Sequence, residues 1–177
     1  MGSNEVVQTS EKGYVLSNED RDFLKNVVAN NRTEHHGRLS YMDVMFELEH
    51  HYGNFLPESV LDEVAHLMEV PPAQLHGFVT FYTMLSTEPR GRHVIRVCTS
   101  GPCHVSGAPV IMTELKRLLG VDLGETTSDG MFTLEGSSCL GICGVSPAFM
   151  IDDDAYGNLA PENLTAILKS KRAEGDR

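Results

Sequence analysis

Four cysteines stand in two close pairs. Cys98 and Cys103 enclose Thr99-Ser100-Gly101-Pro102, and Cys139 and Cys143 enclose Leu140-Gly141-Ile142. The 177 residues hold no other cysteine. Each pair follows a β-like run, His93–Val97 and Met131–Leu134, and each lies in a glycine-bearing loop. Two such loops at one edge of a sheet would present four thiolates to one point. Thiolate is a soft ligand, so the chemistry this pattern serves best is a multi-ligand soft metal centre, with an iron–sulfur cluster foremost.

Other uses of the thiols are weaker. Free cysteine can pack as a small hydrophobe, but two tight pairs in glycine-containing loops are a poor match to scattered core thiols. Two disulfides would need an oxidising compartment. A redox dithiol works at C-x-x-C spacing, which neither pair has. Structural zinc takes C-x₂₋₄-C pairs, and both spacings fall in that range, so zinc stays open on spacing alone. Gly101, Gly107, Gly141 and Gly144 favour iron, because bridging sulfides need N–H donors and backbone comes close only where side chains are absent. Singly, each of these glycines reads as well as a turn or a cap. The hydroxyls of Thr99 and Ser100 are further donors to sulfur, or ordinary turn residues.

The elements that must position these loops follow from periodicity. Residues 1–16 read as a loose tail and 17–88 as a helical segment. Ser17 caps a first helix to Asn31, with Phe23, Leu24, Val27 and Val28 as its apolar stripe. Ser40-Tyr41-Met42-Asp43 opens a second, which Gly53 stops. Pro57 starts a third, with Val60, Leu61, Val64, Leu67 and Met68 inward. Pro71-Pro72 breaks the chain before a fourth helical run, Ala73 to Leu85, apolar on most faces. Glu88-Pro89-Arg90-Gly91 marks the boundary to a second domain, 89–177. There a strand over His93–Val97 precedes a helix from Gly107 to Leu119. Strands at Met131–Leu134 and Ala148–Ile151 follow. Asp152–Asp154 reads as a solvated turn leading through Tyr156-Gly157-Asn158-Leu159 into another strand, and Pro161 opens the last helix through Lys169. This β-α-β-β-β-α order predicts an α/β (α+β) layer with helices on a mixed sheet.

Composition narrows the function classes. The 25 acids against 14 bases give a formal net charge of −11, which argues against nucleic acid and anionic membranes as partners. No run of about 18 apolar residues occurs, so no membrane span is expected. The start Met1-Gly2-Ser3-Asn4-Glu5 does not read as a secretory signal, and a cytoplasmic location is the simpler expectation. Among the eight histidines, His35-His36 and His50-His51 read as solvated polar residues. His104, beside Cys103, is the one placed to influence a metal centre. Met42, Met45, Met68 and Met84 read as packing. Phe78, Phe81 and Tyr82 read as core or as a docking surface.

The residues from His93 through Cys103-His104 and from Gly124 to Glu135 carry a family resemblance. So do Cys139-Leu140-Gly141-Ile142-Cys143-Gly144 with Pro147, and Tyr156-Gly157-Asn158-Leu159. Together they closely resemble the thioredoxin-like [2Fe–2S] subunit of NADH dehydrogenases, including that of respiratory complex I. It recurs in NAD-linked formate dehydrogenases, transhydrogenases and NAD-linked hydrogenases. The likeness continues through Leu56-Pro57, Val70-Pro71-Pro72-Ala73 and Phe81-Tyr82 and spans roughly residues 38 to 170. It departs at Ser100, where bacterial relatives often carry glycine. The resemblance implies a thioredoxin-like domain holding one [2Fe–2S] cluster, with Cys98 and Cys103 on one iron and Cys139 and Cys143 on the other. It implies one-electron transfer inside an oxidoreductase complex, with FMN and NAD(H) on a partner flavoprotein subunit and further iron–sulfur subunits beyond it. The chain has no G-x-G-x-x-G and no P-loop of its own, so it is not expected to turn over NADH alone. A free-standing ferredoxin of the same fold, and a zinc-stabilised module, are the alternatives.

Overall fold

The computed structural model describes residues 14–34 and 36–174. The chain divides into two compact units between Pro89 and Arg90. His35 and the first thirteen residues of the expected tail lie outside the described residues.

The first unit contains α1 (Asn18–Glu34), α2 (Tyr41–His51), α3 (Glu58–Met68) and α4 (Pro72–Phe81). Ser17 and Asp20 cap α1 reciprocally: the Ser17 N–H donates to Asp20 Oδ2 at 2.8 Å and the Asp20 N–H to Ser17 Oγ at 3.1 Å. Ser40 caps α2 by accepting from the Asp43 N–H. The apolar stripes then close on one core that includes Leu24, Val44, Met45, Leu48, Leu61 and Val64. Tyr14 and Leu16 pack against this core, so the last residues read as tail belong to the packed unit. Two other expectations change. The fourth helix stops at Phe81 rather than Leu85, because Tyr82 turns extended (φ −92°, ψ 112°). Met84 is 40 % exposed, whereas Met45 and Met68 are core. His51, read as solvated, is exposed but stacks on Phe23 with ring centroids 3.9 Å apart.

The second unit runs β1 (His93–Cys98), α5 (Gly101–Val105), α6 (Ala108–Leu119), β2 (Phe132–Ser137), a 3₁₀ turn (Cys143–Val145), β3 (Phe149–Ile151), β4 (Asp154–Tyr156) and α7 (Pro161–Glu174). The sheet order is β2-β1-β3-β4. β1 and β2 are parallel, and the other pairings are antiparallel. Parallel neighbours need a crossover, and α5 and α6 lie on it. Strand alternation puts Ile95, Val97, Phe132, Leu134, Phe149 and Ile151 on one face, packed with Ile111 and Leu115 of α6 and Leu164 and Leu168 of α7. The mixed sheet flanked by helices is the architecture expected from the periodicity.

The acidic turn is a correction. Asp152-Asp153 make the turn, and the strand begins at Asp154, not after Tyr156. Nor is the turn simply solvated. Asp152 Oδ2 lies 2.7 Å from His93 Nδ1, and its Oδ1 accepts the Val94 N–H at 2.9 Å. Asp154 accepts from the buried Lys171 ammonium at 2.5 Å, and Glu174 shares that ammonium at 2.8 Å. At the start of β1, a Cβ on Gly91 would fall 2.9 Å from the Phe132 backbone, so only glycine lets the chain enter there. No helix among the described residues is long and apolar enough to cross a membrane.

Candidate metal centre

Because β1 and β2 are parallel neighbours in register Cys98↔Ser137, both chains leave the sheet at the same edge. The carboxyl edge of parallel strands is where open α/β sheets place ligands. Cys98 is the last residue of β1, Cys103 lies within α5, Cys139 is two residues past β2, and Cys143 opens the 3₁₀ turn. A clasp ties the two loops: Ser137 O accepts both the main-chain N–H and the hydroxyl of Thr99, each at 2.9 Å. The Cys98 N–H donates to Ala148 O at 3.1 Å, and the Cys98 thiol donates to Ser138 O at 3.2 Å.

The two pairs differ in burial. Cys98 and Cys103 are each 2 % exposed and pack with Ala108 and Ala148, with Leu140 and Ile142 at the margin. Cys139 and Cys143 are exposed, and all four are free thiols. Burial pushes the Cys98 thiol up. Bonds from the Ser100 and Leu140 N–H groups, the Cys103 thiol and the Ser100 hydroxyl outweigh it and hold Cys98 below its ordinary value. Cys143 is pushed the other way, first by its hydrogen bond with Cys139, then by the charges of Cys139, Cys103 and Cys98. The four sulfurs therefore share one field. As thiolates they repel each other, and a cationic metal core relieves that repulsion.

The surroundings fit a cluster. A Cβ built on Gly101, Gly107, Gly141 or Gly144 would meet no atom within 4 Å, so nothing packs over the loop backbone at these four positions. Gly141 also has φ +79° and donates its N–H to Cys139 Sγ at 3.4 Å. Among the described residues no three His, Cys, Asp or Glu side chains converge closely enough for a single ion. A two-iron centre, with two thiolates on each metal, does not call for that convergence. His104 is exposed on α5. His36, His50, His51, His66 and His76 belong to the helical unit, and His93 begins β1 while Cys98 ends it.

Sequence reasoning passed over Ser137, Ser138, Ser146 and the packing of Gly157. A Cβ on Gly157 would overlap the Val145 side chain and come within 2.8 Å of the Val145 carbonyl. The neighbouring Asn158 N–H donates to that carbonyl at 2.6 Å. The β4–α7 connection thus abuts the turn that begins with Cys143. The Ser146–Pro147 peptide closing that turn is cis. The only sequence signal for this group was the Tyr156-Gly157-Asn158 turn pattern, which gives no hint of a partner.

A family model described as thioredoxin-like [2Fe-2S] ferredoxin matches residues 24–172. An NADH-quinone oxidoreductase subunit of Pseudomonas aeruginosa is 31 % identical over 173 residues, covering 96 % of this chain and 99 % of the relative. An NADH-quinone oxidoreductase subunit of Rhizobium meliloti is 38 % identical over 136 residues, covering 77 % and 80 %. Among solved structures, an NAD⁺-reducing [NiFe]-hydrogenase in the air-oxidised state aligns with a TM-score of 0.63 at 20 % identity. It is matched over 73 % of this chain and 23 % of its own, a likeness of fold.

Proposed function

The chain belongs to the thioredoxin-like [2Fe-2S] ferredoxin family, and on that premise we propose that it is the one-electron-transfer subunit of a multi-subunit NADH-linked oxidoreductase. The observation that carries the reading is the delivery of both cysteine pairs to one sheet edge by adjacent parallel strands. Cys98 and Cys103 hold one iron and Cys139 and Cys143 the other. When bound, the cluster supplies a redox couple that takes up and releases one electron at a time.

The chain's own residues set the conditions for that couple. The N–H groups of Ser100, Leu140 and Gly141 donate to cysteine sulfur and withdraw negative charge from it. Burial of Cys98 and Cys103 keeps water from one side. The exposed Cys139 and Cys143 leave the other side open to an electron donor.

The donor is a partner subunit carrying FMN and NAD(H), because this chain offers no nucleotide-binding fingerprint. The two bacterial relatives are named as subunits of NADH-quinone oxidoreductases, which supports a place in such a complex, with further iron–sulfur subunits downstream and a cytoplasmic location. Anaerobically purified protein should show visible charge-transfer bands and contain iron and acid-labile sulfide in equal amounts. It should stay oxidised with NADH alone and be reduced once the flavoprotein subunit is added. A colourless zinc protein, or rapid bleaching by NADH without any flavoprotein, would overturn the reading.

A further inference from the structure

The Ser146 hydroxyl reaches from the second cysteine loop to a cysteine sulfur of the first. Its Oγ donates to the Cys143 carbonyl at 2.6 Å and lies 3.6 Å from Cys103 Sγ. While Cys103 keeps its single proton, its thiol donates either to the Ser146 oxygen or to Cys98. The Cys143 carbonyl does not depend on the hydroxyl, since the Ser146 main-chain N–H also donates to it at 3.2 Å. Cysteine binds metal as thiolate, so on loading Cys103 has no proton left to give and its sulfur becomes an acceptor. A serine hydroxyl carries one proton and two lone pairs and rotates to suit its neighbours.

Resting on the cluster reading above, we propose that Ser146 is a tuning and positioning residue: in the loaded protein its hydroxyl turns from the Cys143 carbonyl to donate to Cys103 sulfur. Donors to ligand sulfur stabilise the more electron-rich state and raise the reduction potential. This donor acts on the buried pair, where low local dielectric strengthens it. It also couples the two loops, because the residue that modulates the Cys103 sulfur is fixed by the turn that begins with Cys143.

The test uses the full chain loaded with its cluster, as wild type, Ser146→Ala and Ser146→Thr. Threonine keeps the hydroxyl, and the extended Ser146 backbone (φ −61°, ψ 147°) lies in a region open to threonine. Redox titration followed by EPR should show the Ser146→Ala one-electron equilibrium moved toward the oxidised form by about threefold to tenfold, tenfold being about 59 mV. Ser146→Thr should return it to the wild-type value. In deuterated buffer the reduced wild type should show one more exchangeable deuteron coupled to the cluster than Ser146→Ala, a signature that a merely structural serine would not give. An unshifted potential in Ser146→Ala overturns the proposal alone, whereas wild type without visible bands overturns the cluster reading and this proposal with it. If Ser146→Ala loses its cluster, Ser146→Thr decides: wild-type content and potential support the role of the hydroxyl, and loss there too overturns it.

Discussion

The carbonyl of Ser137 accepts twice from Thr99, once from the main-chain N–H and once from the hydroxyl, each at 2.9 Å. Thr99 follows the first cysteine and Ser137 stands two residues before the third, so one oxygen holds both ligand loops in step. Thr99→Val keeps the shape and the N–H bond and removes the hydroxyl. Thr99 is exposed, so the expected cost is about 0.5–1 kcal/mol of stability. Cluster loss to a chelator should quicken, because the loops separate more readily. Unchanged denaturant midpoint and unchanged chelation rate would dismiss the clasp.

Gly157→Ala tests the contact behind the second loop. The added methyl would overlap Val145, and part of what it meets is backbone, which cannot swing aside like a flexible side chain. Overpacking of this kind costs about 1–3 kcal/mol. The turn that begins with Cys143 must move, so iron retention should fall below that of the wild type. Iron per chain after gel filtration distinguishes the two. Equal retention would mean that the β4–α7 connection does not support the turn.

The unequal burial of the thiols predicts an order of alkylation. In the metal-free chain Cys139 and Cys143 should react first with iodoacetamide, and Cys98 and Cys103 last. Cys98 has the more acidic thiol of the two that shift and so the larger thiolate fraction. At 2 % exposure, however, access rather than ionisation limits it. Peptide mapping at short times reads the order directly, and early labelling of Cys98 would contradict the packing around it.

The candidate site was legible because its signals are local. The cysteine spacings, the preceding β-runs and the loop glycines all fall within a few residues of one another. The sheet and most helices were legible from apolar periodicity. What escaped was set by distant partners or by short pieces. Helix α5 has five residues, too few for a period to show. His93 finds Asp152 across 59 residues and Lys171 finds Asp154 across 17, and nothing in either local stretch names the other. The apolar run after Pro72 gave no reason to stop at Phe81, which is 76 % exposed. That end is decided by the extended backbone of Tyr82.

Asp20 should give the helical unit its acid limit. Its carboxylate accepts from the Ser17 N–H at 2.8 Å, the Ser17 hydroxyl at 2.7 Å, and the phenols of Tyr14 at 3.0 Å and Tyr52 at 3.3 Å. Burial pushes the carboxyl up, but these donors outweigh it and hold it below its ordinary 3.8. A carboxyl lowered on folding adds stability above its unfolded value, and that stability is lost as pH falls through 3.8 and below. Tyr14 sets the opposite limit. Burial first, then the Asp20 carboxylate, raises its phenol from 10.0 to about 12. Its contribution is complete below 10.0 and lost as pH rises toward 12. Asp20→Asn should therefore cost about 1 kcal/mol near neutral pH. The gap from wild type should be flat between about pH 5 and 9 and should close at both extremes. The chain has no tryptophan, and Tyr14, Tyr41, Tyr52 and Tyr82 all lie in the helical unit, so tyrosine fluorescence during urea unfolding reports mainly on that unit. A gap that stays constant into acid would show that the four donors do not favour the ionised carboxylate.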